Sequence, residues 1–196
     1  MRRKRPSDVE ACVAGLREVH EHDQYPWHWP RDPAAWLQPA ESTMAAWVAT
    51  EPAPPDPDSP PDTDSATDPG PDSKTSPGAG IGAERIVGHV VLRRAAGHQD
   101  GEALAATTGL DPAGLALIAR LWTLPSARGR GTGRRLLAAA SDEARARGLR
   151  PMLDVVSVNK GAIVLYESEG WTRVGSRPFA LADGETTDLY YYLAPR

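Results

Sequence analysis

Apolar residues recur along the chain with two different periods, and the switches between them divide it into helices and strands. Val9, Cys12, Val13, Leu16 and Val19 share one helical face, and Ser7-x-x-Glu10 at their start reads as a capping box. Asp32-Pro33 opens a second, short helix, with an N-cap followed by a proline at the first helical position. Met44 to Thr50 and Glu84 to Arg94 read as strands, and residues 95 to 114 as a loop. Leu115 to Leu124 is an apolar strand stopped by Pro125. Arg134 to Arg147 then predicts a helix with Leu136, Leu137, Ala140 and Ala144 turned inward and Gly148 ending it. Met152 to Val158 is nearly all apolar, as a central strand would be, and Asn159 caps a helix that carries Tyr166. Trp171 to Ser176 and Thr186 to Leu193 supply two closing strands.

One stretch interrupts this pattern. Residues 51–83 hold nine Pro and no aromatic, with Glu51, Asp56, Asp58, Asp62, Asp64, Asp68 and Asp72 against Lys74 alone, a balance of -6. Such a composition cannot bury enough apolar surface to order itself, so it reads as a disordered insertion within one domain spanning 1–196. Since the chain carries -4 in all, the remainder carries +2, and that positive charge gathers between Arg128 and Arg150, where seven Arg face only Asp142 and Glu143. Arg145 and Arg147 read as a solvated helix face. The single Cys12 excludes a disulfide framework and a cysteine-built metal site, and no metal is expected. No apolar run approaches the roughly 20 residues of a membrane span and no signal peptide is visible, so a cytoplasmic protein without a membrane partner is expected.

The candidate chemistry lies at the junction of strand and helix, in Arg128-Gly129-Arg130-Gly131-Thr132-Gly133. A glycine turn that opens a helix aims unpaired N–H groups and the positive end of the helix dipole at one point, a place for an anion and above all a phosphate. The glycines do not continue into the Gly-Lys-Ser/Thr of a P-loop, and Leu136 stands where a dinucleotide fingerprint has its third glycine. Arg-x-x-Gly-x-Gly between a strand and a helix resembles the acetyl-CoA pyrophosphate loop of the GNAT N-acetyltransferase family. Asn159-Lys160-Gly161-Ala162-Ile163-Val164-Leu165-Tyr166-Glu167-Ser168-Glu169-Gly170-Trp171 is similar to that family's second signature.

The resemblance implies the α/β GNAT acyltransferase fold, a mixed central sheet of about seven strands flanked by about four helices, in which Met1 to Arg5 is a first strand. It implies acetyl transfer from acetyl-CoA to a primary amine of a small molecule or peptide by direct attack. Leu121, Trp122 and Thr123 would pair with the pantetheine arm, Arg128, Gly129, Arg130, Gly131, Thr132 and Gly133 would hold the pyrophosphate, and Asn159 would stand near the cofactor. Tyr166 takes the position of the family's general acid. Tyr25, Trp27 and Trp29 lie on a proline-bound segment in the connection that flanks the acceptor site in such folds, as pocket walls or as a core lid. The strand 115–124 has no carboxylate, with Arg120 and Trp122 instead, which leaves His89, His28, a water chain or an already neutral acceptor to account for the base. A non-catalytic coenzyme A sensor is the alternative reading. Nucleic acid binding by the arginines fits poorly with an acidic protein and no interleaved aromatics. A monomer or homodimer is expected.

Overall fold

The computed structural model describes residues 1–53 and 84–196, so residues 54–83 of the acidic stretch, and the disorder expected there, lie outside the described residues. Seven strands, β1 (Arg2–Arg3), β2 (Thr43–Pro52), β3 (Glu84–Arg94), β4 (Leu115–Thr123), β5 (Arg150–Val156), β6 (Thr172–Ala180) and β7 (Thr186–Leu193), form one sheet in the order β1-β2-β3-β4-β5-β7-β6. All neighbours are antiparallel except β4 and β5. Five helices accompany them among the described residues: α1 (Val9–Asp23), α2 (Pro33–Leu37), α3 (Gln99–Thr108), α4 (Thr132–Ala146) and α5 (Lys160–Ser168). The expected mixed sheet is present.

Side-chain alternation along β4 and β5 splits the interior into two clusters on opposite faces. Ala116, Ile118, Trp122, Leu153 and Val155 join α1 and α4 through Leu16, Leu136 and Leu137. Leu115, Leu117, Met152 and Val156 join Leu104 of α3 and Leu189, Tyr191 and Leu193 of β7. Each fully buried leucine contributes roughly 2 kcal/mol by area. Cys12 belongs to the first cluster, and burial pushes its thiol up to about 11, so it acts as a small hydrophobe.

Several boundaries differ from the expectation for local reasons. Helix α3 falls where the sequence reads as a loop: His98 stands at its N-cap, Nδ1 3.4 Å from the Asp100 backbone nitrogen, and Gly109 ends it at φ +69°. Its Gly101 is required, since a Cβ there would lie 2.2 Å from the Ala95 carbonyl oxygen. The Ser7 capping box does not form; a 3₁₀ turn over Pro6–Asp8 precedes α1, and the Asp8 carboxylate takes Arg5 N–H at 2.6 Å and Arg2 at 2.7 and 2.9 Å. Strand β6 runs through Pro178 because it is an edge strand, where the missing N–H leaves no ladder bond unmade. Strand β2 extends to Pro52 through its pairing with Glu84 and Arg85.

The feature that positions the site is a fork. Strands β4 and β5 pair only at Leu115–Arg150, Ala116–Pro151 and Leu117–Met152, and then separate. The β3–β4 register shifts between His89 and Val91, opposite Arg120, whose φ of +54° breaks the extended geometry. His89 Nδ1–H donates to the Arg120 carbonyl at 3.1 Å and holds the bulge in place.

Candidate active site

The fork opens into a cleft of about 740 Å³. Its lining includes Leu121, Trp122 and Thr123 of β4, Arg128, Gly129, Gly131, Thr132 and Gly133 of the turn, Asn159, and Tyr166 of α5. Arg130 is not part of it.

The turn owes its shape to two left-handed glycines, Gly129 at φ +73° and Gly131 at φ +74°. Arg135 is the first residue of α4 whose N–H meets a carbonyl, that of Gly131 at 3.0 Å. The N–H groups of Thr132, Gly133 and Arg134 precede it at the positive end of the helix, without intrahelical partners. The two arginines expected at phosphate are engaged with carboxylates: Arg128 pairs with Asp23 at the end of α1, and Arg130 with Glu51 at 3.1 Å and the Ser126 carbonyl at 2.7 Å. Two further cations at the rim, Arg134 and Lys160, were not singled out from the sequence; Arg134 bonds Glu169 at 2.5 Å. Arg145 and Arg147 are exposed and pair with Asp142 and Glu143 on their own helix.

Asn159 caps α5, its Oδ1 accepting Ala162 N–H at 3.2 Å. That bond fixes the helix that carries Tyr166, which is 6% exposed and packed between Trp171 and Tyr192. Among the described residues the Tyr166 hydroxyl has no hydrogen-bond partner, and it is not sealed from the cleft. Burial, with the nearby Tyr25 and Asp154, raises its pKa well above the ordinary phenol value. The phenol therefore stays protonated at neutral pH and can donate. Tyr25 lines the cleft beside it and is raised likewise by burial and Asp154, against the pull of Arg120.

Asp154, midway along β5, is the residue that reading the sequence missed. Burial and the charge of Asp100 push its carboxyl up to about 7, with Arg177 drawing it down. A single carboxylate in an apolar strand carries no periodic signal; its one clue was being the sole charge between Met152 and Val158.

Asp154 is not itself on the cleft lining; it stands on β5 just past the last β4–β5 pair, Leu117–Met152. The histidines considered for the base suit the role less. His89 is 1% exposed, outside the cleft lining, and burial lowers it to about 4, so it is neutral. With Nδ1 committed to Arg120, its Nε2 has no partner, and neither has Nε1 of Trp122 stacked 5.8 Å away. His28 is exposed against Phe179. Trp27 lines the cleft with Tyr25, whereas Trp29 packs on His20, ring centroids 4.9 Å apart, and covers the core. Among the described residues no group of three His, Cys, Asp or Glu is placed to hold a metal ion, and no helix is long and apolar enough to cross a membrane.

A model of the acetyltransferase (GNAT) family matches residues 21–171. No protein of curated function matches the sequence. Solved structures with a similar fold include NAA60 from Arabidopsis thaliana in complex with acetyl-CoA, at 17% identity and a TM-score of 0.65 over 98% of this chain and 95% of that one. The ribosomal-protein-alanine N-acetyltransferase from Brucella melitensis aligns at 18% identity and a TM-score of 0.63, over 100% and 98% of the two chains. A GCN5-related N-acetyltransferase from Kribbella flavida aligns at 18% and 0.61, over 100% and 96%.

Proposed function

The chain belongs to the GNAT acetyltransferase family, and from that premise we propose that its cleft moves an acetyl group from acetyl-CoA to an amine by direct attack, with Asp154 accepting the amine proton and Tyr166 protonating the leaving sulfur. The observation that carries this reading is the meeting, at one fork, of an anion-holding helix start, a buried protonated phenol and a carboxyl raised to about 7.

The residues present suit the donor. The free N–H groups of Thr132 to Arg134 and the Cβ-free approach at Gly129 and Gly131 fit a pyrophosphate, and the β4 edge released from β5 leaves backbone at Leu121 to Thr123 for an extended amide-bearing arm. Acetyl-CoA supplies an acyl group on a thiol leaving group. Everything else falls to the chain. An attacking amine must be neutral, and Asp154, ionised from about pH 7 upward, can take its proton either before or during attack. The new C–N bond replaces the C–S bond, and Tyr166 O–H donates to the departing thiolate. Donor and acceptor then approach from opposite faces of the sheet: the glycine turn and α5 lie on the side of the first core cluster, and Asp154 shares the face of Met152 and Val156 of the second.

Tyr166→Phe tests the reading. Thiol release should fall about 100-fold, the usual size of a lost general acid, while acetyl-CoA still raises the melting temperature. Full turnover by the variant would remove Tyr166 from the mechanism.

A further inference from the structure

On β3 and β4, the strands that make the bulge, two guanidinium groups carry charge that no carboxylate answers among the described residues. Arg120 stands at the bulge of β4 with its guanidinium over the Trp36 ring, 4.3 Å from the centroid. Arg93 of β3 gives Nε–H to Ser42 Oγ at 3.0 Å and turns Nη1 to His98 Nε2 at 3.3 Å. Both of these are uncharged acceptors, His98 being lowered by burial first and by Arg93 second. Both arginines are half-buried, and neither forms an ion pair among the described residues. The nearby acid, Asp100, is already held by Arg177 at 2.8 Å.

Burial lowers Arg120 to about 10, and Arg93 adds to that lowering. A half-buried cation without a counter-ion is costly, and a second like charge within reach makes it more so, which marks the two as a place where an anion is expected to arrive. Arg120 directly precedes Leu121 of the cleft lining, which neither arginine itself joins.

We propose that Arg93 and Arg120 form a carboxylate subsite at the acceptor end of the cleft, so that the amine acetylated is a small amino acid bearing its own carboxylate. This deepens the amine-acetylation reading and rests on it. The polarity of the site matches such a zwitterion from end to end. Its amine would face Asp154 and its carboxylate the two guanidinium forks, with the Trp36 ring under Arg120. A polyamine would set a second cation against Arg120. A peptide N-terminus would bring an amide where the site offers paired cations.

The test compares amines that differ only in that charge: L-leucine against L-leucinamide, L-phenylalanine against its amide, and γ-aminobutyrate against its amide, each by thiol release. The carboxylates should be favoured in kcat/KM by about tenfold or more, the size of one charge-assisted hydrogen bond. Arg120→Gln and Arg93→Gln should each remove most of that preference through KM while acetyl-CoA still raises the melting temperature, and Arg93→Lys should keep part of it. Amides used as well as carboxylates, or a preference unmoved in both Gln variants, would overturn the subsite. Turnover of no carboxylate, with acetyl-CoA still stabilising the protein, also overturns it and leaves the donor site standing. Absence of that stabilisation removes the donor site itself and the subsite with it.

Discussion

Asp154 shares its face of β5 with Met152 and Val156 of the second cluster and pairs across the sheet with Tyr191, so little water reaches its charged form. Its carboxyl titrates near 3.8 in the unfolded chain and near 7 in the fold. Below 3.8 both states are protonated and the residue leaves stability unchanged. Stability is lost as pH rises from there to about 7, and above that the loss is complete. Asp154→Asn, which cannot ionise, should therefore melt higher than the parent protein at about pH 8, by roughly 2–8 °C once its partial exposure is allowed for, and at nearly the parent's temperature at about pH 4. The same variant should lose about 100-fold in turnover, whereas the parent rate should climb with pH through about 7. More stable but nearly inactive is the signature of a group placed for chemistry. A variant that melts lower at high pH, or that keeps its turnover, would return Asp154 to the core. Apart from its being the sole charge between Met152 and Val158, the letters around position 154 do not announce this, because the shift arises from burial and then from Asp100, set by parts of the chain distant in sequence.

Among the elements, those with strong local signals were legible and those fixed by partners were not. Helix α4 combines a four-residue apolar stripe, a glycine turn and Gly148, and the structure shifts its bounds by two residues at the start and one at the end, to Thr132–Ala146. Helix α3 has Leu104 as its one large, fully buried side chain and a glycine inside its first turn, so its pattern was too weak to separate from a loop. The end of α1 matters to the turn in a way no periodicity could show. Asp23, its last residue, occupies Arg128, and the carboxyl-end dipole of α1 points to the same place. A pair this exposed is worth at most about 1 kcal/mol. It nevertheless sets a negative charge where a pyrophosphate is expected and ties up its cation. Asp23→Asn should tighten acetyl-CoA binding about three- to tenfold at low ionic strength, by titration calorimetry, with the gain shrinking as salt is added. Weaker binding would mean that Arg128 needs Asp23 to hold the turn, and that its role there is structural.

At the scale of the whole molecule, the series of strands and helices and the mixed sheet were expected, but the insertion of β7 between β5 and β6 and the fork were not. The fork depends on a bulge held by His89 across 31 positions of sequence, and the bulge is also what sets Arg120 beside Trp36. The net charge of -4 is equally uninformative about the site, where the free N–H groups of α4 and the rim cations Arg128, Arg134 and Lys160 gather. If that concentration serves acetyl-CoA, ligand and fold are linked: at 100 times Kd the ligand adds about 2.7 kcal/mol, a melting rise of roughly 5–10 °C for a chain of this length. Gly131→Ala supplies the control. A Cβ at φ +74° costs about 1–2 kcal/mol in the free protein, so its own melting temperature should drop. The decisive quantity is the rise on adding ligand, which should shrink in the variant, because the strained turn no longer holds its N–H groups in register. An undiminished rise would place the phosphates elsewhere in the cleft, with the rim cations as their remaining partners.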